Sequence, residues 1–168
     1  MSESTTKHKG HIYDARYMTR EISVSGLVNN PLTLHIDDLR KMDAIEVKNL
    51  TIICRSGSQK EKVSSYRGVL LRNILDMADV IIKEHHAPNW IYLALFSSEG
   101  YWAIFSWHEI YNSSVGEQAI VLIEKNGLPL DEREGEIAFI SANDYRPGPR
   151  RLRYLQRIEV NELTLDNR

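Results

Sequence analysis

One cysteine and a group of arginines are the side chains of this sequence that most readily do chemistry. Cys54 is the only cysteine in the 168 residues, and it follows an apolar run over residues 50–53. A thiolate at the end of a strand can serve as a soft ligand for a thiophilic metal or as a nucleophile. The alternative is a structural role, since free cysteine often packs as a small hydrophobic side chain.

Five arginines lie close together near the C-terminus, with no acidic residue among them. They are Arg146, Arg150, Arg151, Arg153 and Arg157. Because the net charge of the whole chain is −2, the remainder of the chain is acidic, and a local anion site is favoured over a general polyanion-binding surface. Guanidinium groups match phosphate oxygens in a bidentate geometry. The alternative is a solvated basic edge strand, which protects a sheet from aggregation.

Composition indicates one ordinary globular domain with a substantial core. Hydrophobic residues make up 42% and charged residues 26% of the chain, and no apolar run approaches the roughly 18 residues of a membrane span. The N-terminal segment has no apolar signal region and a single cysteine cannot form an internal disulfide, so we expect a cytoplasmic protein. A Gly-rich phosphate loop, zinc-ligand spacing and a Ser-His-Asp pattern are all absent from the sequence, which leaves other enzyme classes without support.

Hydrophobic periodicity predicts about seven strands and three short helices. We expect strands over 21–28, 45–54, 90–96, 101–105, 119–125, 137–142 and 150–160, a short extended segment over 32–34, and helices over 36–42, over 69–80 and after Ser106. Residues 1–19 are expected to form a flexible arm and residues 20–168 one domain. The fold class is α+β, a single compact, mixed and mainly β domain.

Two details of this prediction concern the candidate site. In a strand over 150–160, Leu152 and Tyr154 would face the core while Arg151 and Arg153 would share the other face. We expect this strand and the strand ending at Ile53 to reach one cleft. Residues 56–65 and 131–136 are expected to be polar, solvated loops.

Seven short motifs in order resemble the molybdopterin-binding domain of sulfite-oxidase-like oxidoreductases. They are Gly26-x-Val28-x-x-Pro31-x-x-Leu34 with Asp38-Leu39; the apolar strand ending in Cys54; Tyr66-x-Gly68-Val69-x-Leu71; Ile74-Leu75; Glu99-Gly100-Tyr101; Asn126-Gly127-x-Pro129-Leu130; and the tail from Gly148-Pro149-Arg150 through Arg153-Tyr154-Leu155 to Ile158-x-Val160. Together they span about residues 21 to 160.

The resemblance implies a mixed α+β fold that holds a pyranopterin dithiolene, the molybdenum cofactor. In that family the cysteine ligates molybdenum, which maps onto Cys54, and the basic tail helps hold the pterin phosphate. We therefore expect a pterin-phosphate site formed by Arg150, Arg151, Leu152 and Arg153, with Tyr145 of the preceding loop.

One departure from the family favours one of the functional alternatives over the others. The segment over 134–140 has neither the histidine nor the arginine with which the larger enzymes contact the cofactor, so we expect a molybdopterin-binding protein that is catalytically silent. The first alternative is a small molybdenum-dependent oxidoreductase with Cys54 on the metal and a separate redox partner protein. The second is an anion-binding or partner-binding module that uses the arginine patch; nucleic acid is disfavoured because the rest of the chain is acidic.

Overall fold

Two β-sheets form the frame of the fold in the computed structural model, which describes residues 14–165. In chain order the strands are β1 (Glu21–Gly26), β2 (Leu32–His35), β3 (Ile45–Ile53), β4 (Gln59–Leu70), β5 (Ile91–Ser97), β6 (Trp102–Ser106), β7 (Ala119–Lys125), β8 (Leu128–Pro129), β9 (Ala138–Ser141) and β10 (Leu155–Glu162). The helices are α1 (Ile36–Lys41), α2 (Leu71–Ala78) and α3 (Trp107–Tyr111). The mainly β, α+β architecture predicted from the sequence is confirmed.

The first sheet has the strand order β2-β1-β10-β5-β6, and the second has the order β3-β4-β7-β8, with β9 also paired to β7. Strands β1 and β10 are parallel, and the other pairs are antiparallel. The parallel pair brings the C-terminal strand to the centre of the first sheet. The segment that precedes β10 lies against the end of β3, where the Gly148 amide donates to the Ile53 carbonyl.

Strand β7 is apolar at every position of its first five residues because both of its faces are buried. Ala119, Val121 and Ile123 belong to the main core, to which both sheets and all three helices contribute. Ile120 and Leu122 point the other way, into a second and smaller apolar cluster that also contains Tyr66. The second sheet therefore has apolar contacts on both faces, and polar groups near Tyr66 are removed from solvent.

The sequence prediction was wrong about one loop. The polar segment over 56–65, expected to be a loop, contains the first seven residues of the twelve-residue strand β4. Its polar stretch, QKEK, shows no apolar alternation, since Gln59, Lys60 and Lys62 are exposed and Glu61 is half-buried. The helix predicted over 69–80 begins later, at Leu71, because Val69 and Leu70 still belong to strand β4.

The N-terminal segment predicted as an arm is described only from residue 14 onward; residues 1–13 lie outside the described part of the chain. Residues 15–17 form one 3-10 turn. The Tyr17 ring contacts the Tyr154 ring with centroids 5.9 Å apart, and the Thr19 hydroxyl donates to the Leu155 carbonyl over 2.8 Å. Within the described residues, no helix combines the length and apolarity that crossing a lipid bilayer requires.

Candidate functional site

Cys54 lies directly after β3, at the start of the tight turn that leads into β4. The Cys54 amide donates to the Ser58 carbonyl over 3.0 Å, and the Gly57 amide donates back to the Cys54 carbonyl over 2.9 Å. Gly57 has a φ of 88°, a left-handed conformation that glycine adopts without steric cost. The turn thereby holds the thiol at the end of the strand with its side chain only partly buried.

Two hydroxyl groups surround the sulfur of Cys54. Its Sγ lies 2.8 Å from Ser56 Oγ and 2.9 Å from Ser58 Oγ. Hydrogen bonds from the Ser56 and Ser58 side chains stabilise the thiolate and lower the pKa of Cys54 to about 6. The thiol is therefore mostly ionised at neutral pH, the form that binds metals and acts as a nucleophile. The fold therefore does not bury Cys54 as a structural apolar side chain.

The loop over residues 143–149 is fixed against the end of β3. The Gly148 amide donates to the Ile53 carbonyl over 2.9 Å, and Arg146 Nη1 donates to the Arg55 carbonyl. A Cβ on Gly148 would lie 2.7 Å from the Ile53 oxygen and 3.2 Å from Cys54 Cα. Only glycine allows this close approach, which brings the arginine segment beside Cys54.

A cleft of about 540 Å³ opens between this loop, the β3–β4 hairpin and the turn between β5 and β6. Its volume lies in the usual range for ligand sites, roughly 300–1,000 Å³. Four cations and two carboxylates contribute to its wall. The lining residues are Ile52, Cys54, Arg55, Lys60, Glu61, Glu99, Tyr101, Gly148, Pro149, Arg151 and Arg153.

A β-bulge explains how two consecutive residues of β4 line this cleft. Ile52 pairs with Glu61 while the next residue, Ile53, pairs with Gln59, so Lys60 is the extra residue. Successive side chains of a regular strand point to opposite faces, and a bulge redirects one of them. Lys60 and Glu61 are both brought to the cleft in this way.

Arg151 is held in the cleft wall by carboxylates. Its Nη1 donates to Glu61 Oε2 over 3.1 Å, and its Nη2 donates to Glu134 Oε1 over 3.0 Å and to Tyr66 Oη over 2.6 Å. Only 7% of the Arg151 side chain is exposed. Burial opposes its charge, but the Tyr66 oxygen and the two carboxylates more than compensate and raise the pKa of Arg151.

Arg153 and Glu99 form a second pair of opposite charges in the cleft wall. Burial raises the pKa of Glu99 above its ordinary value, and the positive charge of Arg153 opposes that rise. Glu61 behaves differently: burial works to raise its pKa, but the hydrogen bond from Lys125 and the charge of Arg151 lower it overall. Of the two carboxyl groups in the cleft, Glu61 is therefore held ionised, whereas Glu99 retains its proton more readily.

The predicted site residues separate into two groups. Cys54, Arg151 and Arg153 all line the cleft, so the expectation of one shared cleft is confirmed. Leu152 is 2% exposed and lies in the main core, and Tyr145 is fully exposed on the loop. The structure does not bring these last two side chains into the cleft.

Arg150 also lies outside the cleft, because it braces the loop instead. Its Nε and Nη2 donate to the two carboxylate oxygens of Asp144 over 2.8 and 2.6 Å, and its Nη1 donates to Glu109 over 2.8 Å. Its guanidinium carbon lies 3.9 Å from the centroid of the Phe105 ring. Arg157 likewise pairs with Glu159 over 3.0 Å. The arginines therefore do not form one continuous basic surface.

The predicted final strand over 150–160 was wrong in its first half, since β10 begins at Leu155. The reason is Tyr154, whose φ of 53° is left-handed and interrupts the extended backbone. Leu152 makes an isolated bridge to Phe139 before that point. Leu152 and Tyr154 still point into the core and Arg151 and Arg153 still share the cleft, although no regular strand produces this alternation.

Sequence reasoning missed several residues that build the site. Glu134, expected in a solvated loop, is 3% exposed and accepts hydrogen bonds from Tyr66, Lys125 and Arg151. The acidic run over 131–136 carried no signal that one member is buried, because its partners are distant in sequence. Arg55, Lys60, Glu61 and Tyr101 were likewise not identified as cleft residues.

The residues present fit a molybdopterin-type cofactor in two respects. Arg151 lines the cleft, and its buried Nε has no hydrogen-bond partner, so one donor of this guanidinium is left unsatisfied by the protein's own contacts. A thiolate and several cations meet in one cleft, a donor set suited to a thiophilic metal and a phosphate. Among residues 14–165, no group of three or more His, Cys, Asp or Glu side chains could hold a metal ion.

Comparison with known proteins places the chain in a family. The model of the oxidoreductase molybdopterin binding domain matches residues 9–165, and no curated protein is significantly similar. Among 26 solved chains that match is the sulfane dehydrogenase SoxCD from Paracoccus pantotrophus, with a TM-score of 0.64 and 15% identity. The match covers 88% of this chain but only 39% of that one, and at this identity it concerns the fold alone. The chain belongs to the oxidoreductase molybdopterin binding domain family.

Proposed function

We propose that this chain binds a molybdopterin-type cofactor in the cleft and functions as a small molybdenum-dependent oxidoreductase, with Cys54 as the metal ligand. The observation that carries the proposal is the position of the Cys54 thiol, partly exposed at the cleft and kept ionised by Ser56 and Ser58. A soft thiolate suits a thiophilic metal centre. When bound, the cofactor would supply the redox-active metal for oxygen-atom or electron transfer.

The phosphate of the cofactor would be held by Arg151 and Arg153, which line the same cleft as Cys54. Guanidinium groups donate paired hydrogen bonds to phosphate oxygens, and Arg151 has a buried donor without a partner. Lys60 and Arg55 would add positive charge at the cleft wall. An electron acceptor, which we expect to be a separate redox partner protein, belongs to the same proposal.

A second candidate function, a catalytically silent pterin-phosphate binder, is favoured by Glu134. This residue opens the segment in which the larger enzymes carry a histidine and an arginine toward the cofactor, and here its carboxylate is engaged with Arg151 and Lys125. A cleft with fewer contacts to the cofactor could retain the phosphate and omit the chemistry. The two candidates differ in whether metal is present.

The test is the molybdenum and pterin content of the chain purified from a host that makes the cofactor. The oxidoreductase predicts about one molybdenum and one pterin per chain, with molybdenum lost in Cys54→Ser because a harder oxygen replaces the thiolate. Ser64→Ala, an exposed change on the same hairpin, should leave both contents unaltered. Pterin without molybdenum would favour the silent binder, and the absence of both would refute cofactor binding.

A further inference from the structure

Next to the cleft lies a polar cluster of five side chains, two of which, Glu61 and Arg151, also line the cleft. It consists of Glu61, Tyr66, Lys125, Glu134 and Arg151. Besides its bonds to Arg151, Glu134 accepts from the Tyr66 hydroxyl, which lies 2.9 and 3.0 Å from its two oxygens, and from Lys125 Nζ over 3.0 Å. Glu61 bridges Lys125 and Arg151 at the opposite side. Two carboxylates thus face two cations.

Tyr66 has a defined part in this cluster. It is completely buried, and burial raises the pKa of its hydroxyl far above the ordinary value, so the oxygen keeps its proton. That proton is donated to Glu134, while the same oxygen accepts from Arg151 Nη2. Tyr66 and Glu134 therefore hold one end of the guanidinium from two directions, and a rotation of Arg151 would leave buried polar groups unsatisfied.

The cluster decides which donors of Arg151 remain for a ligand. A guanidinium has five N–H donors in a fixed plane, and three hydrogen bonds of Arg151 go to Glu61, Tyr66 and Glu134. The buried Nε is among the donors without a partner. Because two carboxylates offset two cations, the cluster also adds little net charge to the cleft, whose positive potential comes from the remaining cations.

We infer that Glu134 is a positioning residue of the phosphate subsite, which with Tyr66 fixes the guanidinium of Arg151 so that it recognises a bound oxyanion through geometry more than through charge. This inference rests on the proposed phosphate site. It assigns a function to a carboxylate whose placement is otherwise unexpected, since an acid near an anion site weakens binding if only charge matters.

Two isosteric substitutions distinguish positioning from charge. Glu134→Gln keeps the shape but removes a negative charge near the site, so a purely electrostatic role predicts tighter phosphate binding. Positioning predicts the opposite, because the amide cannot accept from Tyr66, Lys125 and Arg151 together. Tyr66→Phe removes one hydroxyl with no change of charge; a purely electrostatic role predicts no effect, and positioning predicts weaker binding.

The experiment is calorimetric titration of the cofactor-free chain with inorganic phosphate at several salt concentrations. We expect both variants to bind phosphate about tenfold more weakly than wild type, the usual size of the loss when a supporting partner is removed, with an unaltered salt dependence. Glu132→Gln, an exposed change two residues away, should bind as wild type does. Lys60→Ala should instead reduce the salt dependence, since its role is charge.

Each outcome has a definite consequence. Wild-type protein that binds no phosphate would refute the proposed phosphate site and the inference with it. Wild-type binding together with equal or tighter binding by Glu134→Gln would overturn the inference alone, as would an unaffected Tyr66→Phe. If Glu134→Gln does not fold, Tyr66→Phe decides the question by itself, because it changes one hydroxyl and no charge.

Discussion

Replacing both Ser56 and Ser58 by alanine should move the ionisation of the Cys54 thiol toward its ordinary range. The two hydroxyls are the largest causes of the lowered pKa, which is about 6, whereas an unperturbed thiol has a pKa of about 8.5. Backbone hydrogen bonds at the same two residues remain after the substitutions. We therefore expect a partial recovery of ~2 units, to a pKa near 8.

The assay must follow the midpoint of the titration and not a rate at one pH. At pH 7 the thiolate fraction would fall from roughly 90% to roughly 10%, about a ninefold loss. A thiolate with a higher pKa is intrinsically more nucleophilic, and with a Brønsted coefficient of about 0.45 the gain over 2 units is about eightfold. The two effects nearly cancel in an alkylation rate at pH 7. The thiolate absorbance as a function of pH separates them.

The control for this experiment is Ser64→Ala, which removes an exposed hydroxyl from the same hairpin without touching Cys54. A wild-type midpoint near 8.5, or a double variant with the wild-type midpoint, would refute the reasoning. The pH dependence of the free energy of unfolding gives an independent check of the direction of the Cys54 pKa shift. Because the folded pKa lies below the unfolded one, the contribution of Cys54 is present above pH ~8.5 and is lost as pH falls through about 6. The variant should therefore differ from wild type more at pH 9 than at pH 5.5.

Three further predictions concern the scaffold and are measured by chemical unfolding. Gly148→Ala should destabilise the chain by ~1–3 kcal/mol, because the new methyl would lie 2.7 Å from the Ile53 carbonyl oxygen. Leu75→Ala in the core face of α2 should cost ~2–5 kcal/mol; Met77→Ala, on the exposed face of the same helix, should cost less than ~1 kcal/mol. Ser106→Ala, which removes the N-cap of α3, should cost ~1 kcal/mol. Equal costs for the two α2 variants would contradict the burial assigned to that helix.

The elements that sequence patterns predicted well are those whose burial is simple. β7 is a continuous apolar run in the sequence because both of its faces are covered. The helix expected after Ser106 begins there because Ser106 and Glu109 form a capping box, in which each side chain bonds the backbone of the other. The same local logic placed Cys54 at a strand end. These features depend on neighbours in sequence, so the sequence alone could reveal them.

The features that were missed depend on partners far apart in the chain. Glu134 is buried in contact with Tyr66, which is 68 residues away in sequence, and with Arg151, which is 17 residues away. Hydrophobic periodicity does not reveal contacts between residues so far apart. Arg150 was expected at the phosphate, yet Asp144 and Glu109 hold it as a brace of the loop. A cluster of like charges in sequence therefore does not establish that their side chains share a ligand.

The β3–β4 hairpin couples the two halves of the candidate site. Its register pairs Ile52 with Glu61, which places the partner of Arg151 opposite a residue two positions before Cys54. A slip of one residue would exchange the faces of the strand, so it would move Glu61 away from Arg151 and alter the approach to the thiol together. The bulge at Lys60 sits between these two features and fixes that register. The thiolate and the guanidinium are thus set by one local pairing, and for that reason we expect substitutions that shift this register to affect metal content and phosphate affinity jointly.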